Sequence, residues 1–267
     1  MVARFLISIL LASVASAWGG GQSRQLCLRC HPVHYAERGG CSGCHRGNPA
    51  SERKNIAHAG MRGGKYARFT LGDVREIKAG ERLIDRFACR RCHVSGGRGN
   101  RLAVSLDDAA VRKTAGELAL SIRRPVGNMP TFGLDEETVT GLVNAVLAQS
   151  QGREAVVAAP VRVHFTTSGK KNSDIFSVKC GGCHRILSQR LGAAGTGDVG
   201  PNLSGLLSEW YPRTYKSSEA WTSQNLRSWL KNPRESRPLA RMLPVPLTEG
   251  ELKELESIMA VYPEPIK

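Results

Sequence analysis

The motif Cys-x-x-Cys-His occurs four times in this chain of 267 residues, and it constrains the fold more than any other feature. The copies are Cys27-Leu-Arg-Cys30-His31, Cys41-Ser-Gly-Cys44-His45, Cys89-Arg-Arg-Cys92-His93 and Cys180-Gly-Gly-Cys183-His184. Together they contain all eight cysteines. The spacing is typical of covalent attachment of haem, in which both thiols form thioethers with the porphyrin and the histidine ligates the iron. The sequence therefore predicts four covalently bound c-type haems.

Two other uses of cysteine fit the sequence less well. Exported chains often use cysteines for disulfide bonds, but no cysteine lies outside the four motifs. A structural zinc site needs four ligands around one metal, whereas each motif ends in its own adjacent histidine. The spacing therefore favours haem over disulfide bonds and over zinc.

Residues 1–17 have the pattern of a secretory signal peptide. Arg4 supplies a positive start, an apolar run from Phe5 to Val14 follows, and Ala15-Ser16-Ala17 matches a cleavage site. The apolar run is too short for a stable membrane span. We predict a periplasmic protein with no transmembrane segment of its own after signal cleavage.

The formal net charge of the chain is +15. In an exported protein this charge does not indicate nucleic acid binding. The basic surface is either simply solvated, or it steers the protein towards an acidic redox partner or an anionic membrane surface.

Residues 18–68 hold two motifs in a stretch rich in glycine and arginine, without a sustained helical period. Cys27 and Cys41 are only fourteen positions apart, so their haems are expected to lie close together. This density of motifs resembles a dihaem module of the low-potential multihaem cytochromes c. The resemblance implies little regular structure and a histidine on both faces of each iron.

Two of the three histidines outside the motifs, His34 and His58, fall in this module. If the segment after the first motif is helical, His34 lies on the same face as His31 and cannot reach the opposite side of that haem. We therefore assign His58 to the first haem, opposite His31, and His34 to the second haem, opposite His45. Met61 is a competing ligand near His58.

The sequence pattern of residues 69–152 predicts three helical stretches around the third motif. The first is an apolar helical stripe that leads into the motif and consists of Val74, Ile77, Leu83, Ile84 and Phe87. A glycine-rich loop and a helical stretch around 109–122 follow, and then Asn128-Met129-Pro130-Thr131-Phe132. The last helix is amphipathic and begins with Asp135, Glu136 and Glu137, where the helix dipole favours acidic side chains.

This order resembles a class I cytochrome c: helix, Cys-x-x-Cys-His, loop, Met-Pro-x-Phe, helix. The resemblance implies an α-helical domain with Met129 as the second axial ligand, opposite His93. A thioether is a suitable ligand for haem iron.

Residues 149–163 are interpreted as a linker. The last domain is drawn over residues 153–267 and repeats this plan from residue 164, with an enlarged loop that includes Trp210 and Trp221. That loop is either a docking surface or added structure without a separate role. In class I cytochromes c, a proline carbonyl accepts the Nδ1–H of the proximal histidine, and Pro201 would do so for His184. His164, near the start of this segment, is interpreted as structural.

The end of the chain supplies the remaining candidate ligand. A helix is expected around residues 223–231, and Thr248 with Glu251 forms a capping-box pattern before the last helix. Met242 lies in a proline-flanked loop and is the expected ligand opposite His184. Met259 lies inside the last helix and is expected to be core.

Four irons need eight axial ligands, and the chain supplies eight candidates: His31, His58, His45, His34, His93, Met129, His184 and Met242. No iron has to keep an open position, so the count favours electron transfer between protein redox partners. Methionine ligation raises the haem potential relative to two histidines. We therefore expect electrons to enter near residues 18–68 and to leave through one of the later domains.

Two other classes of function remain open from the sequence. One is a haem enzyme, a peroxidase or an oxyanion reductase, with a displaceable sixth ligand. Another is an extracellular conducting filament, which separate class I-like domains disfavour. Within electron transfer, the chain is either a free shuttle or the haem subunit of a membrane quinol-oxidising cytochrome b/c complex. The predicted fold is mainly α: a haem-organised dihaem module and two class I-like domains.

Overall fold

The computed structural model describes residues 26–72, 75–152 and 174–262. The signal peptide assigned to residues 1–17, His164, and residues 153–163 of the expected linker lie outside the described residues. The chain divides into two compact units, Met1–Met61 and Arg62–Lys267. In the described ranges, no helix is long and apolar enough to cross a membrane.

The first unit contains only short helical turns. Its elements are the 3-10 turns Leu26–Arg29 and Ala36–Arg38 and the helices α1 (Cys41–His45) and α2 (Lys54–Ala57). None of the residues described in this unit is buried. The polypeptide of residues 26–61 therefore has no apolar core of its own.

The second unit begins at Arg62, earlier than the boundary drawn from the sequence after residue 68. Two 3-10 turns, Gly64–Tyr66 and Arg68–Leu71, open it. The side chain of Asn144 donates a hydrogen bond to the carbonyl of Lys65 (2.8 Å) and accepts one from the amide of Phe69 (3.0 Å). These bonds hold both turns against the helix that contains Asn144.

The middle segment, residues 75–152, is built from four helices around the third motif. They are α3 (Arg75–Arg86), α4 (Leu106–Arg112), α5 (Ala115–Arg123) and α6 (Glu136–Gln149), with the 3-10 turn Cys89–Arg91 after α3. Helices α3 and α6 cross at Gly80 and Gly141. A Cβ at Gly80 would lie 2.3 Å from the carbonyl oxygen of Gly141, so only glycine permits this close crossing.

The helical stretch expected around 109–122 is two helices, because the chain breaks at Lys113 and Thr114. Thr114 is the N-cap of α5 and forms a capping box with Glu117. The hydroxyl of Thr114 accepts the Glu117 amide, while the Glu117 carboxylate accepts the Thr114 amide. Such a box stabilises a helix start at this position.

The four helices enclose a continuous apolar core, which follows from the expected amphipathic pattern. Ile84 of α3 and Val139, Val143 and Ala145 of α6 are fully buried. Helix α6 also has the predicted acidic start, since the Asp135 carboxylate accepts the Thr138 amide. The core therefore joins the helices on both sides of the third motif.

The C-terminal segment, residues 174–262, combines four helices with one hairpin. The helices are α7 (Ile175–Lys179), α8 (Ser223–Lys231), α9 (Pro233–Ser236) and α10 (Glu249–Met259), and Lys216–Ser218 is a 3-10 turn. Strands β1 (Ile186–Ser188) and β2 (Gly192–Ala194) pair antiparallel, and this hairpin was not predicted. Met259 is 2% exposed, which confirms it as core.

The described chain is mainly helical, as the sequence predicted. Thr248 forms the expected capping box with Glu251 at the start of α10. That helix ends at Met259.

Candidate haem sites

The middle segment contains a cavity of about 350 Å³ that is lined mostly by apolar side chains. Both cysteines of the third motif, Cys89 and Cys92, reach it, together with His93 and Met129. The walls come from α3, α5 and α6, with residues such as Ile84, Phe87, Leu118, Ile122, Leu142 and Val146. The two thiols, the imidazole and the thioether thus share one apolar space.

His93 is oriented by a backbone carbonyl. Its Nδ1 lies 2.6 Å from the carbonyl oxygen of Val104 and must donate a proton to it. Nε2 of the neutral ring then carries the free lone pair, which is the form that binds a metal. Burial lowers the pKa of His93, against the opposing effect of this hydrogen bond, and so favours the neutral ring.

The loop after the third motif is held by a buried carboxylate. Asp107 is 1% exposed and accepts hydrogen bonds from the amides of Gly96 (2.7 Å) and Gly97 (2.9 Å). Asp107 lies one residue after the start of α4, so the bonds fix the glycine-rich loop to that helix.

Burial also keeps the cysteines of this site protonated. It raises the pKa of the Cys89 thiol to about 11 and raises that of Cys92 as well. The donor set and the apolar walls together fit a covalently attached haem with His93 and Met129 as axial ligands.

The C-terminal segment repeats the orientation of the proximal histidine. The Nδ1 of His184 donates to the carbonyl oxygen of Pro201 at 2.8 Å, as the resemblance implied. Gly200 lies directly against the imidazole, and a Cβ there would be 2.2 Å from Cε1 of His184. Only glycine allows the loop to approach the ring this closely.

Met242 lies next to an aromatic stack in the same segment. The Nε1–H of Trp229 donates to Sδ of Met242 at 3.1 Å. Trp229 packs edge-on against Trp221 (5.6 Å between ring centroids), and Trp221 packs against Tyr215 (5.2 Å). The enlarged loop therefore packs against α8, and α8 contacts the predicted methionine ligand.

In the first unit, four histidines lie in two pairs. The Nε2 atoms of His34 and His45 are 3.3 Å apart. The rings of His31 and His58 lie with their centroids 6.1 Å apart. His58 thus lies near His31 and His34 near His45, which are the partners assigned from the sequence, and the ligation itself remains a prediction.

The premise of that assignment is wrong, because the chain is not helical through His34. The first 3-10 turn ends at Arg29, and the next begins at Ala36. The irregular stretch between them brings His34 to His45. Met61, the competing ligand, is 43% exposed, and its amide donates to the carbonyl of His58.

The alternative uses of cysteine find no support in the described ranges. All eight cysteines are described, and none forms a disulfide bond. No group of three or more His, Cys, Asp or Glu side chains in these ranges could hold a metal ion.

Several residues of the sites were not found from the sequence. The carbonyl of Val104 was missed because backbone acceptors carry no residue-type signal. Trp229 lies in a helix that the sequence predicted, but its contact with Met242 was not predicted. Asn128 and Asn202 were also missed, and their contact joins loops of the two later segments.

Residues 75–144 match the model of the family described as cytochrome c oxidase, cbb3-type, subunit III. The match supports a c-type cytochrome domain in this segment. The domain implies a covalently bound haem c and a function in electron transfer, in agreement with the donor set of the cavity. No curated protein and no solved structure is significantly similar to the chain.

Proposed function

We propose that the protein is an exported tetrahaem cytochrome c that transfers electrons between protein redox partners. The observation that carries the proposal is the joint presence of His93 and Met129 in one apolar cavity. With both axial ligands supplied by the chain, electron transfer needs no open position on the iron. A substrate-converting haem enzyme does need one.

The proposal assigns a haem to each of the other three motifs as well, which gives four haems in total. The histidine pairs of the first unit support bis-histidine ligation of two haems. The oriented His184 and the half-buried Met242 support a second methionine-ligated haem. Histidine and methionine differ in their effect on the haem potential. The first unit then forms the low-potential end and the later segments form the high-potential end.

The proposed partners are proteins of a periplasmic respiratory chain. The family matched by the middle segment is named for a subunit of a terminal oxidase, which supports a place beside membrane-bound redox proteins. We place the chain as a haem subunit of a membrane cytochrome b-type quinol oxidoreductase. Co-purification from membranes with a b-type subunit is the expected result, and quantitative recovery as a free monomer would contradict this place.

Haem content and ligation test the proposal directly. The intact mass of the mature protein is expected to show four covalent haems and no residues 1–17. The reduced protein is expected not to bind carbon monoxide, because every iron has two ligands from the chain. Rapid carbon monoxide binding would contradict electron transfer alone and support the haem enzyme.

A further inference from the structure

The loops that contain the predicted ligands of the middle and C-terminal segments contact each other directly. Nδ2 of Asn202 donates to the carbonyl oxygen of Asn128 at 2.8 Å. In return, Nδ2 of Asn128 donates to the carbonyl oxygen of Ile186 at 2.5 Å. Two amide side chains therefore connect the segments in both directions.

Each of these residues is next to a predicted axial ligand or to the group that orients it. Asn128 immediately precedes Met129. Asn202 immediately follows Pro201, whose carbonyl accepts the Nδ1–H of His184. Only two hydrogen bonds and a few backbone bonds therefore separate Met129 from the imidazole of His184.

Asn202 itself is fixed by further hydrogen bonds. Its carbonyl oxygen accepts from Nη1 of Arg91 (3.0 Å) and from the hydroxyl of Tyr211 (3.2 Å). Its Oδ1 accepts the amide of Ser204 at 3.0 Å. Because Arg91 lies between the two cysteines of the third motif, Asn202 is held by the haem-attachment segment as well as by the methionine loop.

A second set of contacts closes the other end of this interface. Nδ2 of Asn100 donates to the carbonyl of Arg91 (2.8 Å) and to the hydroxyl of Ser208 (2.7 Å). Gly205 adopts a positive φ of 72°, and a Cβ there would lie 2.5 Å from the Arg91 carbonyl oxygen. The interface therefore holds the two loops at a fixed separation.

We propose that Asn202 is a positioning residue shared by the two sites, and that it couples them. Changes at one site alter the His184–Pro201 hydrogen bond or the Met129 loop, and Asn202 transmits them to the other. Coupling of this kind is reciprocal, so reduction of either haem changes the reduction equilibrium of the other by the same factor. The inference rests on the proposed function, because it requires a haem at both sites.

The first test compares Asn202→Ala with Asn225→Ala in the holoprotein. Asn225 lies in the same segment and makes a local amide hydrogen bond of the same length, 2.8 Å to the carbonyl of Ala220. The readout is a stepwise redox titration in which NMR follows the haem methyl resonances. The wild type and Asn225→Ala are expected to show coupling of about 5-fold or more between the two sites. Asn202→Ala is expected to bring this factor close to 1, and unchanged coupling in that variant overturns the proposal.

The second test does not depend on redox chemistry. Amide hydrogen exchange is expected to become faster in Asn202→Ala at both residues 126–129 and residues 184–187, and to remain unchanged in Asn225→Ala. A milder variant, Asn128→Ala, loses only the bond to Ile186 and should give a smaller change in the same amides. Faster exchange in one loop alone overturns the shared role.

Failure of the proposed function has a different signature. If the intact mass of the wild-type protein shows fewer than four haems, the tetrahaem proposal is contradicted. The hydrogen-exchange comparison still decides whether Asn202 positions both loops.

Discussion

The first unit and the middle segment hold the same motif in opposite ways. Among residues 26–61 no side chain is buried, whereas the middle segment has a helical core around Ile84 and Val143. Units below about 40 residues usually need disulfides, metals or oligomerisation to fold. We infer that haem serves as the core of the first unit, while the middle segment encloses its haem with a core of its own.

The same contrast applies to the predicted ligands. In the first unit, histidine lies beside histidine, and the rings are brought together by short turns. In the middle segment, His93 and Met129 both line one cavity inside a helical domain. We therefore expect the haems of the first unit, which lacks a core, to have lower potentials. The haem of the packed middle segment is expected to have a higher potential.

The largest expected effect is on the fold of the first unit. Replacing Cys41 and Cys44 by alanine removes one haem attachment, and residues 26–61 are expected to lose all protection from proteolysis and hydrogen exchange. The matched replacement of Cys89 and Cys92 should leave the α3–α6 pair protected, because its apolar core remains. Equal loss of protection in both segments would remove the distinction between them.

Core substitutions are expected to separate the two regions next. Ile84→Ala removes a fully buried side chain and should lower the free energy of unfolding by about 2–5 kcal/mol. Ile56→Ala, at a side chain that is 40% exposed in the first unit, should change it by less than about 0.5 kcal/mol. Denaturant unfolding measures both, and a comparable cost at Ile56 would show a peptide core that the first unit is inferred to lack.

Helix capping gives a smaller effect that is specific to the second unit. Thr114→Ala removes both hydrogen bonds of the Thr114 hydroxyl, one to the Glu117 carboxylate and one from the Glu117 amide, and should cost about 1 kcal/mol. Glu117→Gln keeps the reciprocal geometry and should cost less, since glutamine also fits a capping box. Thermal unfolding measures the stability of both variants. An equal loss of stability in the two would assign the effect to the charge of Glu117 and not to the geometry of the capping box.

The smallest expected effect is on the acid side of the stability curve. The Thr114 and Thr248 amides, which donate to the Glu117 and Glu251 carboxylates, hold the pKa of both carboxyl groups below the ordinary value of 4.5. A lowered pKa contributes stability that is complete above 4.5 and is lost as the pH falls through the folded-state value. The double variant Glu117→Gln, Glu251→Gln should therefore lose less stability than the wild type below pH 4.5. Parallel pH curves for the two proteins would contradict this.

Local signals in the sequence predicted the helices of the second unit well. The capping box at Thr248, the acidic start of α6 and the core position of Met259 all follow from short-range patterns. The hairpin of β1 and β2 did not, because strands of three residues have almost no periodicity. The division between α4 and α5 was missed because the apolar stripe continues across the cap at Thr114.

The sites were predictable where the chemistry is encoded in residue type. The Cys-x-x-Cys-His motifs, Met129 at the cavity and the Pro201 acceptor for His184 came from motif order. The contact of His34 with His45 was anticipated from a helical premise that the structure contradicts. The Asn128–Asn202 contact spans 74 positions between irregular loops, and no local pattern indicates such a pairing.

The division into two ligand classes is tested most directly by a redox titration of the full chain, followed in the red absorption band of methionine-ligated ferric haem. We expect two haems of higher potential that account for the band and two of lower potential that do not contribute to it. Met129→Ala and Met242→Ala should each remove part of the band without affecting the low-potential pair. Four haems of equal potential, or a band that survives both substitutions together, would contradict the account.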